Sequence, residues 1–379
     1  MLAAHRELFE VPRDVAYFNN GSYTPLPRAV REAGERGVAE KSTPWTMDEE
    51  AIRARAERVR AAAGRLIGAT ADDIALVNSA AYGIATAAAN LGVERGTRIL
   101  LIEGEFPSQS LEWARLAEAR GAMLDLVPRP GDGDWTAALL ERIAAPGLPP
   151  VGIAALTPLV WTDGSRIDLE RLAGPLRAQG AAIVVDATQA AGILPLDVGR
   201  LGADYLVFPT YKWLLGPYTL AFLYVAPHRQ GGVPLEQHGS NRLGGFQPFS
   251  GRLDELIPTA RRFDMGERYN PVSLPMALAG MELLEGWGRE ALAERLRATT
   301  TRIAAVAAEC GLEPVDARFR SPHIVGLRVP GGAGALVAAL ADRNVHVAER
   351  GGQIRVGAHV YNDEEDCARF AAALRAAAP

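Results

Sequence analysis

A chain of 379 residues, 48% hydrophobic and 22% charged, has the profile of a globular protein with room for one large domain and one smaller one. A net charge of −5, with arginines scattered among acids, provides no basic patch and argues against nucleic acid as a partner. No apolar run approaches the roughly 18 residues that span a bilayer, and Met1 to Val11 lacks a signal-peptide core, so the expectation is a cytoplasmic protein with no membrane partner.

From residue 28 to about 225, helical and strand-like segments alternate. Residues 51–67 carry an amphipathic helical pattern, 74–77 form a short apolar strand, and Ser79 opens a small-residue helix through Leu91. Strands are predicted at 98–102, 122–127, 151–156, 183–185, 205–208 and 220–225, with helices at 107–120, 136–145 and 168–179. Short continuous apolar runs between helices indicate a mostly parallel sheet covered on both faces. After about residue 226 the pattern changes. Residues 230–272 are rich in Gly, Pro and Arg without periodicity. Helices at 274–286 and 289–309 follow, then a strand at 323–329, a helix at 333–343, strands at 345–348 and 353–356, and a last helix from 363. The expectation is an α/β large domain over 15–255, with 256–379 and 1–14 forming a small α+β domain.

Only two of the 40 basic residues are lysines, Lys41 and Lys212. Arginine stays protonated, whereas a desolvated lysine becomes a nucleophilic amine, so this chain has few candidate amines. Lys212 follows a strand and is flanked by Tyr211, Trp213, Leu214 and Leu215, which disfavours the alternative of a fully exposed side chain. Asp186 ends the apolar run IVVD, 26 residues earlier, at the carboxyl end of a strand where ligands of open α/β sheets collect. Capping of the next helix is its other reading. An amine and a carboxylate so placed suit pyridoxal 5′-phosphate (PLP), which needs an amine for a Schiff base and a carboxylate against its pyridine nitrogen. The six histidines show no metal-ligand spacing, and no Ser-His-Asp signature is present, so no metal is expected. Cys310 and Cys367 are too few for a disulfide framework.

These motifs carry a resemblance. From YFNNGSYTPLP at 17–27, through VDATQ and YKWLLGPYTLAFLYV, to IRVGAHVYND at 354–363, the chain resembles the class V aminotransferase family of fold-type I PLP enzymes, with its cysteine desulfurase, isopenicillin N epimerase-like and kynureninase members. The resemblance implies a seven-stranded-type, mostly parallel sheet and a homodimer with the active site near its interface, close to the 240–272 segment with Arg261, Arg262 and Glu267. It implies that Lys212 forms the Schiff base, Asp186 pairs with the pyridine nitrogen, Gln189 bonds the phenolic oxygen and Phe106 stacks on the ring, in a context closer to the kynureninase branch. The phosphate is expected at the helix start with Ala80 and Ala81, where many relatives carry hydroxyls, and at Tyr211. Arg355 matches the arginine that grips the substrate α-carboxylate. Asn20, Gly21 and Trp161 are expected near the substrate. Where relatives often have Asn or Ser, this chain has Pro158, so one cofactor hydrogen bond is expected to be missing or replaced.

The resemblance implies chemistry at the Cα of an amino acid, with transamination first as the family's default, and C–C or C–S lyase chemistry or epimerisation as alternatives. A family member that has lost catalysis and serves as a binding module is the alternative outside enzymology. The stretch before Arg355, VHVAERGGQIR, holds no cysteine, which argues against a desulfurase with a loop-borne nucleophilic thiol.

Overall fold

A computed structural model describes residues 2–245 and 247–377; residues 1, 378 and 379, at the ends of the expected small domain, lie outside them. The chain opens with β1 (Ala16–Tyr17), α1 (Arg28–Ser42) and α2 (Glu49–Ile67). It then alternates through β2 (Ile74–Val77), α3 (Ala80–Asn90), β3 (Arg98–Ile102), α4 (Pro107–Arg120), β4 (Met123–Val127), α5 (Trp135–Ala144), β5 (Val151–Leu156), α6 (Leu169–Ala178), β6 (Ala182–Asp186), α7 (Val198–Leu201), β7 (Tyr205–Pro209) and β8 (Ala221–Val225). The C-terminal third holds α8 (Ser273–Trp287), α9 (Arg289–Glu309), β9 (Glu313–Pro314), β10 (Ile324–Arg328), α10 (Gly334–Ala341), β11 (Val345–His346), β12 (Ala348–Arg350), β13 (Gln353–Gly357) and α11 (Glu364–Ala377).

The main sheet has seven strands in the order β2-β8-β7-β6-β5-β3-β4. Only β8 runs antiparallel to its neighbours. Strands β2, β3, β6, β7 and β8 are buried along their whole length, because helices cover both faces, and this is why they read as unbroken apolar runs. The edge strand β4 alternates buried and accessible residues, as half-covered strands do. The expected α/β fold with a mostly parallel sheet is thus the observed one.

A second sheet, β12-β13-β10-β9, is antiparallel. The N-terminal segment packs on this end of the molecule. Strand β1 pairs parallel with β11, and the buried Arg6 guanidinium meets Asp366 at 2.6 Å. The stretch Ala260–Phe263, expected with the small domain, packs instead on the large sheet: Met265 N–H donates to Leu76 O at 2.8 Å, and Asp264 joins the buried Arg60 at 2.5 Å.

Candidate active site

Two cavities meet at the carboxyl ends of the central strands. The larger, of about 300 Å³, is lined by Ser79, Ala80, Ala81, Glu105, Phe106, Trp161, Asp186, Thr188, Gln189, Tyr211, Lys212 and Tyr218, among others. The second, of about 210 Å³, adds Gly21, Ser22, Tyr23, Arg350 and Arg355. Six side chains face both: Phe106, Trp161, Gln189, Tyr211, Lys212 and Tyr218.

Lys212 stands on the loop joining β7 to β8. Thr210 closes that loop, its hydroxyl reaching Pro217 O and Leu220 O while its own carbonyl accepts from Gly216 N–H at 2.9 Å. The ammonium nitrogen lies 5.8 Å from the Phe106 ring centre and 5.3 Å from that of Tyr211. Lys212 is 8% exposed. Burial lowers its pKa to about 8; the charge of Asp186 opposes this, and those of Arg355 and Arg350 add to it. Roughly a fifth of the amine is therefore neutral near physiological pH, against about a thousandth for an ordinary lysine, and the neutral form is the nucleophile.

Asp186 ends β6 and is 7% exposed. Its Oδ1 accepts the Thr188 N–H at 2.9 Å. Burial raises its pKa, against the hydrogen bonding of Thr188 and the charge of Lys212. Three residues on, Gln189 is fixed at both ends. The indole N–H of Trp213 donates to its Oε1 at 2.8 Å, and its Nε2 donates to Gly21 O at 3.0 Å. An indole only donates, so the amide orientation is set, and one amide hydrogen remains. Behind this pair, Trp213 lies against His323 (4.3 Å, edge-on) and His359 (5.8 Å, stacked). Burial holds both imidazoles far below their usual pKa, at about 3 and about 4, so the back wall is neutral.

At the other end of the larger cavity, Ser79 caps α3 by accepting the Tyr82 N–H at 3.1 Å. The N–H groups of Ala80 and Ala81, on the helix's first turn, have no partner among the described residues, and a helix start of this kind favours an anion. Phe106 and Trp161 meet edge-on at 5.2 Å, and Trp161 Nε1 donates to Gly104 O at 2.9 Å. They form the wall between the two cavities. Tyr211 stacks on Tyr218, with ring centres 4.2 Å apart.

Arg355 is 2% exposed. It donates to Trp161 O at 2.9 Å and to Ser22 Oγ at 2.7 Å. Gly21 lets the guanidinium approach closely: a Cβ there would come 3.0 Å from its central carbon, so Arg355 would have to give way. Asn20 is expected near the substrate, and the structure places it one residue behind the cavity lining at Gly21. Asn20 is fully buried and lines neither cavity; its side chain donates to Gly357 O and accepts from the Tyr361 hydroxyl, at 2.8 and 2.7 Å. It anchors the segment that delivers Gly21. Arg261 is spent on Glu57 and Asp72, and Arg262 on the carbonyls of Ile257 and Gly232.

Sequence reasoning missed several lining residues. Thr188 lay inside the VDATQ motif. Tyr218 and Thr219 follow the lysine in the same loop. Glu105 directly precedes Phe106, and burial pushes its carboxyl up to about 8, so it holds a proton near neutrality. Arg350 carried a signal, since Arg-Gly-Gly-Gln is a hairpin pattern, which went unused. Cys310 and Cys367 line neither cavity.

A buried amine and a strand-end carboxylate in one cavity, with a helix start and a buried arginine around them, define a PLP-type site. The Aminotransferase class-V family model matches residues 17–373, and the chain belongs to that family of PLP-dependent enzymes. It is 30% identical to a kynureninase of Deinococcus radiodurans over 70% of this chain and 64% of that protein's length. It is 28% identical to an isopenicillin N epimerase of Amycolatopsis lactamdurans over 98% of this chain and 97% of the relative. Among solved structures, the cystine C–S lyase C-DES, in complex with cysteine persulfide, superposes with a TM-score of 0.84 at 20% identity, covering 96% of this chain and 98% of its own.

The larger cavity fits PLP in kind. It offers an amine, a buried carboxylate and unpartnered helix-start N–H groups, and the Thr188 hydroxyl is buried without a hydrogen-bond partner among the described residues.

Proposed function

We propose that this enzyme is of the aminotransferase type, with Lys212 both carrying PLP as a Schiff base and moving the Cα proton of an amino acid. The observation that carries the reading is the position of Lys212, exposed to both cavities and holding a pKa of about 8. Asp186 would face the pyridine nitrogen, the remaining Gln189 amide hydrogen the phenolic oxygen, and Phe106 the ring. The Ala80 and Ala81 N–H groups with the Tyr211 hydroxyl would hold the phosphate, and Thr188 would supply a further hydrogen bond. Bound PLP supplies an electron sink that weakens the bonds at Cα.

The chain's own groups then divide the work. Arg355 fixes the substrate carboxylate through its planar fork, and the Phe106–Trp161 wall excludes water. Lys212 Nζ takes the Cα proton and holds it for return on the same face. Of the six side chains shared by the two cavities, Lys212 is the one that exchanges a proton near neutral pH, while burial lifts the Tyr211 phenol to about 12. Among the described residues the second cavity offers no carboxylate or histidine as a second base, and Glu105 lines only the larger one, which favours one-base chemistry over an epimerisation. A kynureninase-like lyase outcome is the second reading, supported by the Phe106-Pro107 context and by the kynureninase relative.

A homodimer is part of this proposal, supported by the exposed Leu243, Phe249 and Leu253 (63%, 79% and 77%). A cytoplasmic location is supported by the two unpaired cysteines; no helix among the described residues is long and apolar enough to cross a membrane.

The test is borohydride reduction of the yellow holoenzyme followed by peptide mapping, with keto-acid release measured on an amino-acid panel. The label should sit on Lys212, and Lys212→Ala should lose both the label and at least about 10²–10⁴ in turnover. A variant that keeps the covalent chromophore overturns the assignment. Cleaved side-chain products without keto acid would select the lyase reading.

A further inference from the structure

The second cavity holds two guanidiniums, not one. Strands β12 and β13 form a hairpin closed by Gly351 and Gly352, both with positive φ (57° and 78°), as the tight two-residue turns of hairpins demand. The register sets Ala348 opposite Arg355 and Arg350 opposite Gln353. Arg350 is therefore the diagonal neighbour of Arg355 on the same face of the hairpin. Both side chains converge on one atom: Ser22 Oγ accepts from Arg355 at 2.7 Å and from Arg350 at 3.0 Å. Their remaining hydrogen bonds go to carbonyls, of Trp161 and Glu349. Among the described residues neither is paired with a carboxylate, and none of the residues lining the second cavity is acidic.

Two like charges drawn to one hydroxyl repel each other, and burial sharpens the repulsion. Burial first, and then the charge of Arg350, brings the Arg355 pKa down to about 9. A single α-carboxylate neutralises one guanidinium and leaves the other uncompensated. A molecule carrying two anionic groups a short distance apart compensates both.

We infer that the substrate is a short acidic amino acid, its α-carboxylate on Arg355 and a second anionic group, one or two carbons from Cα, on Arg350. The inference rests on the function proposed above, which places an amino acid in this cavity. The shared Ser22 sets the reach, because it keeps the two guanidiniums within two hydrogen-bond lengths of each other, and the small cavity excludes a long spacer. The aromatic lining from Tyr23, Phe106, Trp161 and Tyr218 then packs the short carbon chain, in place of the apolar or aromatic side chain that the lining alone suggests.

The experiment titrates the holoenzyme with L-aspartate, L-asparagine and L-alanine and follows the visible absorption of the cofactor. Aspartate and asparagine have the same size and differ in charge, so their affinity ratio isolates the second anion. The native protein should favour aspartate by about tenfold or more, the worth of one charge-assisted hydrogen bond. Arg350→Gln should bring that ratio close to one, and Arg350→Lys should keep part of it. A native ratio near one overturns the inference without any variant. So does a ratio that survives in Arg350→Gln while all three ligands weaken together, because Arg350 would then share the α-carboxylate. If none of the three amino acids alters the absorption, the inference about substrate fails, while the proposed function stands or falls with the borohydride label on Lys212. A response to alanine with no preference for aspartate removes only the inference about substrate.

Discussion

The two cavities that meet at Lys212 share six side chains, and the rest of their lining comes from different parts of the chain. The larger one draws its lining from residues 78–219, at the ends of strands whose bodies are buried in the main sheet. Its groups are set by contacts close in sequence: Ser79 caps its own helix, Thr188 holds Asp186, and Thr210 closes the Lys212 loop. The second cavity joins residues 21–23 to 350 and 355, more than 300 positions apart. Its shape depends on long-range ties: β1 on β11, Asn20 on Gly357, and Ser22 on both arginines. A rigid sheet end suits a cofactor whose atoms must stay fixed. A seam between two chain segments suits a ligand that enters and leaves. Substitutions in the first cavity should therefore strike turnover, and those in the second affinity and selectivity.

Asp186→Asn tests that division most severely. The change keeps the side chain's shape and an acceptor for the Thr188 N–H, and removes only the charge. Turnover should fall by about 10²–10³-fold, as for loss of one preorganised electrostatic contact, with substrate KM within a few-fold of native. A variant whose KM rises while kcat holds would erase the distinction between the cavities. A smaller effect is expected from pH. Burial disfavours the charged form of Lys212 and lowers its pKa from the usual lysine value to about 8. The neutral amine is the reactive form, so PLP capture by the apoprotein should accelerate about tenfold per pH unit on approaching pH 8 and level off above it. Capture that keeps accelerating through pH 10 would show an ordinary, solvated lysine and undo the account of the junction.

The same contrast explains what was legible in the sequence. The strands of the main sheet announced themselves as continuous apolar runs, because burial on both faces leaves no polar position. Asp186, Gln189 and Lys212 were legible because each sits in a short motif immediately after such a strand. Arg355 was legible through the resemblance of its strand to a family motif. The anchoring role of Asn20 was not legible, because its hydrogen bonds to Gly357 and Tyr361 span more than 300 residues and no local pattern encodes them. Arg350 sits in a local hairpin pattern, but its convergence with Arg355 was not legible, because the shared hydroxyl on Ser22 lies at the other end of the chain. Glu105 was missed because its raised pKa comes from desolvation, a property of the folded cavity and not of the segment EGEFPSQ.

The smallest expected effect concerns the tie between the two cavities. Trp213 donates to Gln189, which in turn donates to the backbone of Gly21, so one indole N–H sets the amide that faces both spaces. Trp213→Phe keeps an aromatic ring between His323 and His359 and deletes that donor, leaving a buried amide oxygen unsatisfied at a cost of about 1–3 kcal/mol of unfolding free energy. Turnover should drop only a few-fold, because Lys212, Asp186 and Arg355 stay in place. Lost ring packing would also destabilise the protein, so the discriminating measurement is the same substitution in a Gln189→Ala background. If the hydrogen bond is the cause, Trp213→Phe should cost less there than in the native protein, with a coupling of at least about 0.5 kcal/mol. Equal costs in both backgrounds would mean that Trp213 supports the site by packing alone, and that the two cavities are joined through Lys212 and not through Gln189.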